Sequence, residues 1–272
     1  MAASNNTFPR ILEADLVFPR NDTYAPIPYM PFVLAIQNFH TTKSFYRMLK
    51  YNFSTASDPE HPIVSDSISF HNYLYGSFDR GDTKFISDFT TALNNTEGNW
   101  LFSWEWTISN CSKSTKYSDN PISKELNFVD TNFTSQRSQV YFNTKNGFQE
   151  ADFLAATQDG TCNDGTGSGL AFNITGNEDN VAGGQYYFDS PECPIISGTT
   201  QTPNPCEVKI DDETAADILF SIQSGACLQH NDTSVCPPVR GGKKENAARR
   251  AAQFSVGGLV LGATLGWLVY IL

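Results

Sequence analysis

The stretch NWLFSWEWTISNC, Asn99 to Cys111, constrains the fold more than any other part of the chain. Trp100, Phe102, Trp104, Trp106 and Ile108 alternate with Leu101, Ser103, Glu105, Thr107 and Ser109. Successive side chains of an extended strand point to opposite faces, so this period of two gathers the tryptophans on one side. The expectation is a half-buried strand whose aromatic face contributes to a core. Trp100, Trp104 and Trp106 are also a candidate platform for stacking sugars, although alternation with polar neighbours favours the core.

The same criterion marks further strands. Leu12, Ala14, Leu16 and Phe18 alternate with mostly polar neighbours and predict a half-buried strand. Pro26, Pro28 and Pro31 predict an extended edge segment leading into a buried strand over Phe32 to Ile36. A helical turn is expected around Lys43 to Leu49. Strands are expected in IVSDSISF, NYLYGSF, KELNFVD, SQVYFNTK, EADFLAAT, Leu170 to Ile174 and QYYFDS, and a loop from Ser190 to Pro205. Gly165, Gly167 and Gly169 superficially suggest a phosphate cradle, but Leu170 stands where the fingerprint needs glycine and no P-loop lysine follows, so a loop is expected. DDETAADILFSIQSGAC is the clearest helix. Asp211 or Asp212 caps it, Ala215, Ile218, Leu219 and Ile222 form its apolar stripe, and Gly225 is expected to end it. Cys206 before this helix and Cys227 after it are available to tie it down. Many short strands and one late α-helix predict an all-β sandwich over residues 12–236, after a polar N-terminus of residues 1–11.

Where such a domain works is read from its cysteines, sequons and tail. Cys111, Cys162, Cys193, Cys206, Cys227 and Cys236 lack zinc-site spacing, and an even number of well-separated cysteines suits disulfides in an oxidising compartment, with the connectivity open. N-glycosylation sequons begin at Asn5, Asn21, Asn52, Asn94, Asn110, Asn132, Asn173 and Asn231. A polar linker over residues 237–253 leads into Phe254 to Leu272, 19 residues without a charge. As a helix these would cover roughly 28 Å, the thickness of a bilayer core. Small residues at Gly241 or Asn246, followed by a polar spacer, fit a glycosylphosphatidylinositol (GPI) signal, with a retained transmembrane helix as the alternative. If retained, Gly258, Gly262 and Gly266 on one helical face would let two helices approach closely. The N-terminal MAASNNTFPR has no apolar run of a signal peptide, so the expectation is a start further upstream; the alternative is a tail-anchored protein with a cytosolic body. A net charge of −11 argues against nucleic acid as a partner.

The run DLVFPRNDTYAPIPYMPFVLAIQN, together with NPCEVKIDDETAADI and the apolar C-terminus, resembles an uncharacterised family of fungal secreted, often GPI-anchored surface proteins. The resemblance spans roughly residues 12–240. It implies a location and supplies no catalytic residues. The residues themselves point the same way. His40, His61, His71 and His230 form no metal-binding spacing, and no GxSxG elbow surrounds any serine. Acidic candidates for a glycosidase pair are Asp88, Glu105, Asp130 and Glu150. No cofactor or metal is expected. The reading is a non-enzymatic cell-surface glycoprotein with a structural or recognition role, its partner a membrane through the tail and a glycan or wall polymer; the alternative is a carbohydrate-active enzyme using a carboxylate pair.

Overall fold

The computed structural model describes residues 8–39, 47–70, 77–116, 126–158, 168–179, 192–198, 201–230 and 236–237. Apart from Pro237, these lie in the first of two units, Met1–Cys236. The fold is mostly β, with two sheets and one late helix, as the patterning predicts. The first sheet runs in the order β11 (Glu192–Ile196), β10 (Gly169–Asp179), β1 (Arg10–Phe18), β3 (Met30–Gln37), β7 (Thr83–Thr90) and β6 (Ser77–Arg80). The second is β2 (Thr23–Tyr24), β9 (Leu126–Thr144), β8 (Gly98–Lys116), β4 (Arg47–Thr55) and β5 (Val64–Ser69). Every pairing is antiparallel except β2 with β9.

Aromatic rings hold the inner faces together. Phe32 of β3 meets Tyr51 of β4 at 4.5 Å and Phe102 of β8 at 5.3 Å between centroids. Trp106 packs edge-on against Phe172 of β10 at 5.6 Å. Such pairs add about 0.5–1.5 kcal/mol each beyond the area they bury. Trp100, Trp104 and Trp106 all belong to this core and are 6%, 2% and 0% exposed. The sugar platform is thereby corrected: the aromatic face of β8 looks into the sandwich.

The outer faces of the two sheets differ. On the first sheet Glu13, Asp15, Val17, Val33, Ala35, Phe85 and Ser87 are buried although they point away from the core. A second layer covers them. It consists of a 3-10 turn at Ala155–Thr157, a turn at Pro205–Glu207 and helix α1 (Asp212–His230). The Ile210 amide donates to Thr157 Oγ1 at 3.0 Å, joining two parts of this cover. β1 is accordingly buried on both faces from Leu12 to Phe18 rather than half-buried.

Several local expectations change for identifiable reasons. Lys43 to Leu49 is no helical turn where it is described, because Arg47 already begins β4 opposite Ile108. From Leu126 on, KELNFVD joins SQVYFNTK in one strand, β9, that pairs residue for residue with β8. EADFLAAT forms a loop and a 3-10 turn instead of a strand. Ser190 to Pro205 contains strand β11. Pro31 lies in a central strand, tolerated because β1 begins pairing only at Val33 and the position is opposite Phe89 alone. Of NYLYGSF only Ser77 and Phe78 are described, and they begin β6; the rest of it and QYYFDS lie outside the described residues.

Helix α1 begins as expected, with Asp211 accepting from the Thr214 amide at 2.7 Å, a cap that holds the Asp211 carboxyl below its usual range. Arg80 of β6 pairs with Glu213 at 3.2 Å and with Asp217. Ile218 and Ile222 are buried, but Leu219 is 48% exposed. Gly225 does not end the helix, which continues to His230. It lies in the packed face instead, where an added Cβ would stand 3.1 Å from the Phe89 ring. The glycine permits close approach of helix to sheet.

Candidate functional site

The outer face of the second sheet, which exposes Lys50, Arg137 and Gln139, is the candidate site. Its geometry follows from strand alternation. With Trp104 and Trp106 inside, Ser103, Glu105 and Thr107 must face outward, and so must their cross-strand partners. Lys50 of β4, Glu105 of β8 and Arg137 of β9 line up across three strands. Arg137 Nε donates to Glu105 Oε2 at 2.7 Å. Beside them Asn52, Ser65, Ser103 and Gln139 form a second row. The Thr107 and Ser135 hydroxyls are 2.8 Å apart and close one end. Lys50, Glu105, Arg137 and the second row line an open depression of about 760 Å³, with Asp66 and Ser67 of β5 at its side.

Exposed rings flank this polar carpet. Phe133 and Tyr141 are 48% and 47% exposed. Eight residues apart on one strand, they share the outer face with Ser135, Arg137 and Gln139 and stand roughly 27 Å from each other. The exposed aromatics of the second sheet therefore come from β9, not from the tryptophan strand. The signal was present in FTSQRSQVY, where alternation puts Phe133 and Tyr141 in the same row as Arg137.

The acidic candidates do not converge. Asp88 faces the inside of the sandwich, where the Tyr51 hydroxyl donates to it at 3.4 Å, and burial raises its pKa. Glu105 lies on the opposite face of the sheet that carries Tyr51, beside Lys50. Glu150 is exposed on a loop, and the Asp130 side chain lies outside the described residues. A different acidic pair does come together. Glu13 and Asp15, alternate residues of β1, are enclosed under the second layer of the first sheet. The Asn204 amide donates to Glu13 Oε1, and Gln37 Nε2 donates to Asp15 Oδ2 at 2.8 Å. Burial is the largest cause that pushes the Asp15 carboxyl up to about 9, with the neighbouring Glu13 adding to it. Glu13 is raised too, again chiefly by burial. Gly169 permits this enclosure, because an added Cβ would stand 2.6 Å from Pro203 and 2.9 Å from Asp15 Oδ1. The two carboxyls can share a proton, and Asp15 is fully buried.

The covalent candidates are placed as follows. Cys227 and Cys236 form a disulfide, so Cys227 lies within α1 and ties its end to the residues that follow. Cys111 and Cys206 are disulfide-bonded as well, and no cysteine among the described residues is free. Cys162 and the Cys193 side chain lie outside the described residues. Among the sequons, Asn21, Asn94 and Asn132 are exposed, while Asn52 lies in the depression. Asn110 is engaged: its Nδ2 donates to Thr134 Oγ1 at 3.2 Å and its Oδ1 accepts from the Ile196 amide at 3.0 Å. Asn173 has its side-chain oxygen buried. Asn5, Asn231, Gly241, Asn246, His40, His71 and the tail lie outside the described residues, and His61 pairs with Asp58 on the surface at 2.8 Å. Among the described residues no cluster of His, Cys, Asp and Glu is arranged to hold a metal, and no helix is long and apolar enough to cross a membrane.

The family model described as Domain of unknown function (DUF7136) matches residues 7–238, and the chain belongs to that family. No curated protein and no solved structure matches it.

Proposed function

We propose that this member of the family is a non-enzymatic fungal surface glycoprotein whose open sheet face recognises a glycan or wall polymer. It is displayed at the outer plasma membrane or wall through a lipid attached in the Gly241 to Asn246 region. The resemblance of its two sequence blocks to anchored surface proteins supports the location, and the Cys227–Cys236 disulfide suits an oxidising compartment. The observation that carries the recognition role is the contrast between the outer faces. One is sealed by a second layer, while the other exposes Lys50, Arg137 and Gln139 around a depression lined also by Asn52, Ser103 and Glu105. Hydroxyls, amides and an ion pair in a shallow trough offer donors and acceptors to a polyhydroxylated chain.

The alternative, a carbohydrate-active enzyme with two carboxylates, has its best support in Glu13 and Asp15, a close pair with raised pKa values. Their enclosure weighs against it. A screen of wall polysaccharides for binding and for hydrolysis separates the two. Binding without turnover is expected, and turnover abolished by Asp15→Asn would replace recognition with catalysis.

A further inference from the structure

Strand β9 has a long open edge. β2 pairs with it only at Asn143 and Thr144, and among the described residues no backbone bond reaches the same side between Ser135 and Tyr141. The direction of its backbone groups follows from alternation. The Asn143 amide points away from β8, donating to Asp22 at 2.9 Å. Because β9 runs without a bulge against β8, the N–H and C=O groups of Tyr141, Gln139, Arg137 and Ser135 point the same way, away from β8. An exposed edge of this length is a template for another strand. Natural edges are usually shortened, bulged, covered or charged; among the described residues no strand other than β8 pairs with β9 over this span, and its one charge there, Arg137, is paired with Glu105.

The side chains along this edge read almost the same in both directions. Phe133, Ser135, Arg137, Gln139 and Tyr141 run aromatic, polar, cationic, polar, aromatic on one face. We infer that β9 pairs antiparallel with β9 of a second copy of this chain about a two-fold axis at Arg137, joining two five-stranded sheets into one. In that register each Phe133 faces the other copy's Tyr141, covering rings that are 48% and 47% exposed in one copy. Ser135 faces Gln139. The two Arg137 side chains meet at the axis, each already neutralised by its own Glu105 carboxylate at 2.7 Å. Both candidate recognition faces then lie on the same side of the joined sheet. The pairing stands whether or not that face binds a glycan.

The test is the oligomeric mass of the full chain in mild detergent, by sedimentation with the detergent subtracted, together with site-specific capture. The parent is expected at twice its 30.1 kDa mass. Ser135→Pro removes an amide that points outward and leaves the ladder to β8 intact, and Tyr141→Lys places a charge in the ring contact; each is expected at once the monomer mass with an unchanged circular dichroism spectrum. A photoreactive benzoylphenylalanine at position 141 is expected to capture the segment around Phe133 of a second copy. A monomeric parent overturns the inference. So does a dimer that survives both folded variants, or capture that maps to the C-terminal tail.

Discussion

Asp15 makes the stability of this domain depend on pH in an unusual direction for a carboxylate. Its pKa rises from 3.8 to about 9 on folding, so the folded state holds a proton that the unfolded state releases. The contribution is therefore complete below about pH 4 and is lost as pH climbs through about 9, and the raised Glu13 adds to it with the same sign. Thermal melts are expected to show a falling midpoint from mildly acidic to alkaline pH. Asp15→Asn, which keeps the shape and the contact with Gln37, should flatten that slope; a midpoint that rises with pH over this range contradicts the assignment. A second residue-scale prediction concerns Gln136, whose side chain reaches from β9 to β10. Its Nε2 donates to the Ala171 carbonyl at 2.7 Å and its Oε1 accepts from the Ala171 amide at 3.1 Å, so one amide side chain stands in for a missing strand. Gln136→Ala leaves both backbone groups unsatisfied at roughly 1–3 kcal/mol each, measured by chemical denaturation. Gln136→Glu, which retains an acceptor but no donor, should lose less than the alanine variant.

At the scale of elements, α1 is held by two independent devices, its close packing on β7 and a disulfide, and they differ in how they should respond to mutation. Gly225→Leu forces a side chain into Phe89 and should cost about 1–3 kcal/mol, with Phe89→Ala partly relieving it. Opening the Cys227–Cys236 loop with Cys236→Ser should cost roughly 2–3 kcal/mol, read from the denaturation midpoint under non-reducing conditions. An unbroken apolar run revealed β3, which is buried on both faces, and period-two patterning revealed β8 because its side chains sort cleanly by face. It misjudged β1, whose Glu13 and Asp15 looked solvent-facing, since alternation cannot reveal a third layer contributed by residues far along the chain. The same blindness applies to Gly225. A glycine near the end of a helical pattern reads as a terminator, and only Phe89 of β7 explains why it lies inside. The length of β9 was also hidden, because its polar middle reads as a turn until β8 supplies a partner for every residue.

For the whole molecule, the asymmetry of the two outer faces is the feature from which the functional reading grows. The sequence disclosed the sandwich and the disulfide chemistry through alternation and cysteine number, but it directed attention to the wrong side of β8. The tryptophans were conspicuous and proved to be core, whereas the face that remains open is made of small polar residues with no individual signature. Sugar attachment should respect this division. Peptide mapping of protein from a glycosylating host is expected to find Asn21 and Asn94 occupied, while Asn110, held between Thr134 and Ile196, stays bare. Asn52 is also expected to stay bare, since a glycan there would cover the depression. The most direct test of the recognition face is equilibrium binding of wall polysaccharide to the parent and to Ser103→Arg, which fills the centre of the trough without touching the core. The expected result is saturable binding by the parent and at least a tenfold weaker affinity for the variant, about 1.4 kcal/mol. Equal affinity of the two folded proteins would contradict the assignment of this face.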